Sequence, residues 1–176
     1  MKLTLVLLAA TLAGVAAPAS AEDAPVQLRN KTIVLSWVAH RDVMTPLGER
    51  RAVIHVARMI YISSLGRPFV KSRIDSPRGA KDLEIAPGDA TARGGAREVD
   101  FVGNTIVATA ENGTGAGRMV VTFDQGFTTC RVDNEVARPS GGHLMKRGPG
   151  GGMVEILSTE FSDQSCAIRD GNLVAP

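Results

Sequence analysis

Aromatic side chains are scarce in this chain, with one Trp, one Tyr and five Phe among 176 residues. Carbohydrate platforms and base-stacking surfaces draw on exposed Trp and Tyr, so the composition argues against both. An excess of one charge is also missing. Twenty Lys and Arg stand against eighteen Asp and Glu, with the signs interspersed and a net charge of +2. That balance disfavours nucleic acid and anionic membrane surfaces as partners. Cysteine is limited to Cys130 and Cys166, and no C-x-x-C pair occurs, which argues against redox catalysis. The three histidines, His40, His55 and His143, fall in no H-x-H or H-E-x-x-H spacing, so neither a metal nor a cofactor is expected. The nucleophile signatures G-x-S-x-G and S-x-x-K are absent. Gly148 to Gly152 lacks the G-K-[ST] ending of a phosphate loop, and Gly113 to Gly117 lacks the rest of a dinucleotide fingerprint, so both read as plain loops.

The one long apolar run lies at the start, from Leu3 to Ala17 after Met1 and Lys2. It is shorter than the roughly 20 residues a spanning helix needs. Small residues at Ala19 and Ala21, ahead of Glu22 and Asp23, complete a signal-peptide pattern with cleavage expected after Ala21. The expected layout is a signal peptide over 1–21 and one β-rich domain over 22–176. The mature chain loses Lys2, leaving 19 basic against 18 acidic residues, net +1. No later segment is apolar enough for an integral span. Export to the periplasm or the medium is oxidising, so Cys130 and Cys166 are expected to form a disulfide closing a loop of 37 residues. Two separate buried thiols are the alternative.

Period-two alternation dominates the mature sequence. From Lys31 to Ala39, Ile33, Leu35, Trp37 and Ala39 share one face. Pro46-Leu47-Gly48 marks a turn. Residues 52–62 are apolar on both faces, and their β-branched density favours a strand over a helix. Arg67 to Ile74 reads as the return arm of a hairpin, and 75–96 as a long loop. Further strands are expected at 98–101, 106–110, 118–123, 127–132, 153–161 and 165–169, with a Gly-rich loop over 139–152. About eight strands with short connections and no helix predict an all-β, single-domain antiparallel meander. The expected form is a small barrel, with a two-sheet sandwich as the alternative.

Two residues on the second strand are the ligand-binding candidates. His55 sits among apolar neighbours, where a packed histidine is the plainer reading. Arg58 interrupts the face formed by Ile54, Val56, Ile60 and Ile62. If that face points inward, the guanidinium needs a carboxylate or an anionic ligand to offset its burial. The plainer expectation is that Arg58 faces solvent and Val53, Ala57 and Met59 face the core. His40, beside Arg41 and Asp42, reads as a solvated strand end.

Lys31-Thr32-Ile33-Val34-Leu35-Ser36-Trp37, Thr122-Phe123-Asp124-Gln125-Gly126-Phe127-Thr128-Thr129-Cys130 and Ser165-Cys166-Ala167-Ile168-Arg169-Asp170-Gly171-Asn172 together resemble a group of short exported proteins of Gram-negative bacteria. The resemblance spans most of the mature chain. It implies a periplasmic β-domain and carries no activity and no site. In such a bacterial setting the sequons at Asn30 and Asn112 are chance matches. The meander also looks like the lipocalin-type barrels, but their Gly two residues before the first-strand Trp is Leu35 here. The expected function is a non-catalytic binding or envelope-associated domain, with a small ligand or an envelope protein as partner. The alternatives are an inhibitor of secreted proteases, inserting the Gly-rich loop or the N-terminal segment, and a hydrolase whose site assembles only in space around His55, Arg58 and an acid.

Overall fold

The alternation that begins at Lys31 runs on without a break to Thr45. There Thr45-Pro46-Leu47-Gly48 closes a two-residue hairpin. In the computed structural model, which describes residues 24–85, 97–112, 115–137, 144–147 and 152–174, these residues join β1 (Lys31–Thr45) to β2 (Gly48–Ile62) in continuous register. The Thr45 hydroxyl donates to the Gly48 carbonyl at 2.7 Å and accepts the Leu47 N–H at 3.2 Å. Gly48 takes φ +99°, a conformation that only glycine adopts cheaply. Ser76-Pro77-Arg78-Gly79 repeats the device between β3 (Pro68–Ser76) and β4 (Gly79–Ile85), with Gly79 again at φ +99°. The region expected to be a loop from residue 75 therefore begins with a second hairpin. Residues 86–96 lie outside the described residues.

β5 (Arg97–Val102) and β6 (Thr105–Asn112) take up the strands expected over 98–101 and 106–110 and meet at the Gly103-Asn104 turn. β7 (Gly115–Phe123) follows, then β8 (Cys130–Ala137). The connection between β7 and β8 is built on Asp124. Its carboxylate accepts the Thr129 N–H at 2.8 Å, and the Thr128 N–H and hydroxyl at 2.7 Å each. These donors, the Thr129 amide foremost, hold the carboxyl at about 2. Phe127 takes φ +53° and turns its ring onto Phe123, so the strand expected from residue 127 begins at Cys130. β9 (Leu144–Arg147) lies within the segment expected to be a Gly-rich loop. The two strands expected over 153–169 are a single strand, β10 (Met153–Asp170), carrying two bulges. Among the described residues the other regular segment is a three-residue 3-10 turn, Val26–Leu28.

All strand pairs are antiparallel and divide into two sheets. One has six strands in the order β4-β3-β2-β1-β10-β9, the other four in the order β5-β6-β7-β8. The all-β meander is as expected, but among the described residues no ladder joins the sheets, so the small barrel gives way to the sandwich. The meander breaks between β4 and β5, where the chain passes to the second sheet, and between β8 and β9, where it returns. Each sheet then buries one face against the other, which satisfies the one-sided patterning without closure. Ile33, Leu35, Trp37 and Ala39 of β1, with Val56, Ile60 and Ile62 of β2, meet Phe101, Ile106, Met119, Val121 and Phe123. Seven aliphatic side chains of this cluster, Leu28 among them, are wholly buried, each stabilising by about 1.5–3 kcal/mol. Cys130 on β8 and Cys166 on β10 form the expected disulfide, Cα–Cα 5.5 Å, and so staple one sheet to the other. Asn134 Nδ2 donates to Gln164 Oε1 at 2.9 Å further along the same seam.

Candidate functional site

Even-numbered residues of β1 and odd-numbered residues of β2 face away from the second sheet. On this outer face the register places Val38 beside His55 and His55 beside Asp75, with Ala57 beside Arg73. Ser36, His55, Ala57, Arg73, Asp75 and Asp163 line an open groove of about 340 Å³. Arg73 leans toward Asp82 at 3.8 Å, and both side chains are well exposed. The groove owes its far wall to a bulge. Between Ser36 and Val38 the partner strand advances from Ser165 to Ser162, so two β10 residues oppose Trp37. Asp163, at φ +49°, is one of them, and the bulge swings it over the sheet.

The bulge also brings together a serine, a histidine and an acid that the sequence did not flag. His40 Nε2 lies 3.0 Å from Ser162 Oγ, and the Ser162 hydroxyl donates to Asp163 Oδ2 at 3.0 Å. The order is wrong for nucleophilic catalysis. A hydrolytic triad needs the histidine to accept the serine proton and the acid to hold the far ring nitrogen. Here the acid is hydrogen-bonded to the serine hydroxyl and not to the histidine ring. Among the described residues no group of three or more His, Cys, Asp or Glu is arranged to hold a metal ion. His143 lies outside the described residues, as do the signal-peptide segment and most of the Gly-rich loop.

His55 and Arg58 do not form one site, because three residues along a strand place them on opposite faces. Against expectation, Arg58 points inward with Val56 and Ile60 and is half-buried. Its Nε donates to the buried Ser72 hydroxyl at 2.9 Å, its Nη1 reaches Met119 Sδ of the other sheet at 3.5 Å, and its guanidinium lies 5.2 Å from the Trp37 ring. A stacked guanidinium with hydrogen-bond partners tolerates an apolar face better than an ammonium does. Ile54, Val56, Ile60 and Ile62 supply the bulkier face, so that face turns inward and carries Arg58 with it.

The strand end expected to be solvated is also different. β1 continues past His40, and Arg41 follows Ala39 on the inner face. Burial lowers the pKa of its guanidinium from the usual arginine value. Arg41 Nε and Thr159 Oγ1 are both out of solvent and without a hydrogen-bond partner, and the two residues are register partners across β1 and β10. A third such atom, Arg29 Nε, lies apart from them, against the Gly66 turn.

No protein-family model matches the chain, nor does any curated protein or solved structure.

Proposed function

We propose that the chain is an exported, non-catalytic binding domain of the cell envelope, released after Ala21 by signal peptidase, whose partner docks on the outer groove of the six-stranded sheet. The observation that carries this reading is the form of the groove. It is open, and its polar groups, His55, Arg73, Asp75 and Asp163, stand on a rigid sheet face with both signs of charge. Binding surfaces of this kind keep their charges wet and read a partner by complementarity. Closed active sites shed water from the reacting groups, whereas this surface stays open to solvent. The place of Asp163 on the Ser162 hydroxyl, where a triad would need it on the histidine, further favours binding over hydrolysis. The inter-sheet disulfide fits an oxidising compartment, and no helix among the described residues is long and apolar enough to cross a membrane.

A photo-crosslinking amino acid at Ala57, on the groove floor, tests the proposal in cells. The same group at Thr122, on the outer face of the four-stranded sheet, is the control. The expected result is a discrete adduct at 57, absent at 122 and lost when Arg73 and Asp75 become Ala. No adduct at 57, or equal adducts at both positions, contradicts it.

A further inference from the structure

On the inner face of the six-stranded sheet, Arg58 and Arg41 stand in opposite circumstances. Arg58 has Ser72, Trp37 and Met119 around it. Arg41, two turns of the pleat beyond Trp37, has a buried Nε that meets no acceptor. Arg41 is half-buried and an arginine side chain does not deprotonate in proteins, so its Nε–H is a charged donor that burial leaves without an acceptor. Thr159, directly opposite, buries a second unpartnered polar atom. Opposed residues of an antiparallel pair hold their Cβ atoms about 5 Å apart, so the two polar groups project from neighbouring points of one face. The two supply an N–H donor and an O–H donor, and their shared complement is an oxyanion. The surroundings define the rest of the ligand. By strand alternation Ala39 and Val43 flank Arg41, Ala52 and Ile54 lie beside it on β2, and Phe161 flanks Thr159. Ala39 is buried, Ile54 and Phe161 pack against the core, and all five are apolar.

We infer that Arg41 and Thr159 form a binding site for the oxyanion head of an amphiphile, whose apolar body lies along Ala39, Ile54 and Phe161. The site is on the opposite face of the sheet from the groove and stands independently of it. A medium-chain carboxylate is the simplest ligand of the class.

Calorimetric titration of the mature, oxidised protein with decanoate tests the site, with decanol and acetate as half-ligands. Decanoate is expected to bind, decanol at least about tenfold more weakly, and acetate at least about a hundredfold more weakly. Arg41→Met is expected to weaken decanoate at least about tenfold, and Arg41→Lys, which keeps the charge but loses Nε–H, several-fold. The melting temperature separates this from a structural role. Without ligand, Arg41→Met is expected to melt at or above the parent, because it removes a buried donor that has no acceptor. Saturating decanoate is expected to raise the melting point of the parent by several degrees and leave that of Arg41→Met unmoved. Absence of decanoate binding, equal binding by Arg41→Met, or binding of acetate as tight as decanoate would overturn the inference.

Discussion

Replacing both cysteines by alanine removes the covalent link between the sheets, and its cost follows from the chain. The bridge joins residues 36 apart and so closes a loop of 37. Loop-closure entropy for that length is about 13 cal/mol/K, or about 4 kcal/mol at 25 °C. For a domain with a total stability of roughly 5–15 kcal/mol, this is a large fraction. With a urea slope of about 2 kcal/mol/M, the midpoint of Cys130→Ala/Cys166→Ala is expected to fall by about 2 M. Far-UV circular dichroism through a urea series reads this directly, and the parent protein in reductant is the control. Position adds a second expectation. β8 is an edge of the four-stranded sheet, and the bridge anchors that edge to β10. Amides of β7 and β8 are therefore expected to lose hydrogen-exchange protection before those of β1 and β2. A loss below about 1 kcal/mol would refute the entropic argument, and uniform loss of protection would refute the claim that the bridge acts as a seam.

Arg58→Ala strands the buried Ser72 hydroxyl and removes the guanidinium from Trp37, and is expected to cost about 2–4 kcal/mol in denaturant unfolding. Arg58→Lys recovers only part of that loss, because an ammonium cannot stack and fork in the same way. The Asp124 carboxyl titrates at about 2 when folded, below its unfolded value near 4. Its contribution is thus fully present above pH ~4 and lost as pH falls through about 2, and Asp124→Asn is expected to flatten that part of an acid-unfolding profile. Gly48→Ala meets no atom within 4 Å but inherits φ +99°, so a loss of about 1–2 kcal/mol in thermal melts would be pure backbone strain.

The sequence made the strands with one buried face legible. Ile33, Leu35, Trp37 and Ala39 alternate cleanly, as do Met119, Val121 and Phe123, and all seven lie in the core. What it hid were the edges. β4 carries Lys81, Asp82 and Glu84, and β9 is four residues long among glycines. Both are edges of the six-stranded sheet, where charge and shortness discourage pairing with another chain and also erase the alternation. Thr45-Pro46-Leu47-Gly48 and Ser76-Pro77-Arg78-Gly79 share one turn pattern, yet only the first stood between two apolar runs and read as a turn joining strands. Ser162, Asp163 and Gln164 divided one long strand into two expected ones, because a bulge uses the polar residues that also separate strands.

The candidate sites were less legible for a related reason. Alternation shows which residues share a face but not which face meets the second sheet. Arg58 and Arg41 were therefore free to be solvent-facing until the partners of β1 and β2 were placed. The histidine of the outer groove was visible as a residue, but Asp163 reaches it only through the bulge. The cysteine pairing was legible by count alone, since two cysteines in an oxidising compartment admit a single bridge.

Intact native mass spectrometry of the protein, expressed with its own first 21 residues and released from the periplasm, tests the account most directly. The expected spectrum begins at Glu22, is lighter by two hydrogens for the Cys130–Cys166 bridge, and carries a retained partner or ligand. A chain that begins at Met1, keeps two free thiols and carries nothing would contradict export, the inter-sheet staple and the binding role together.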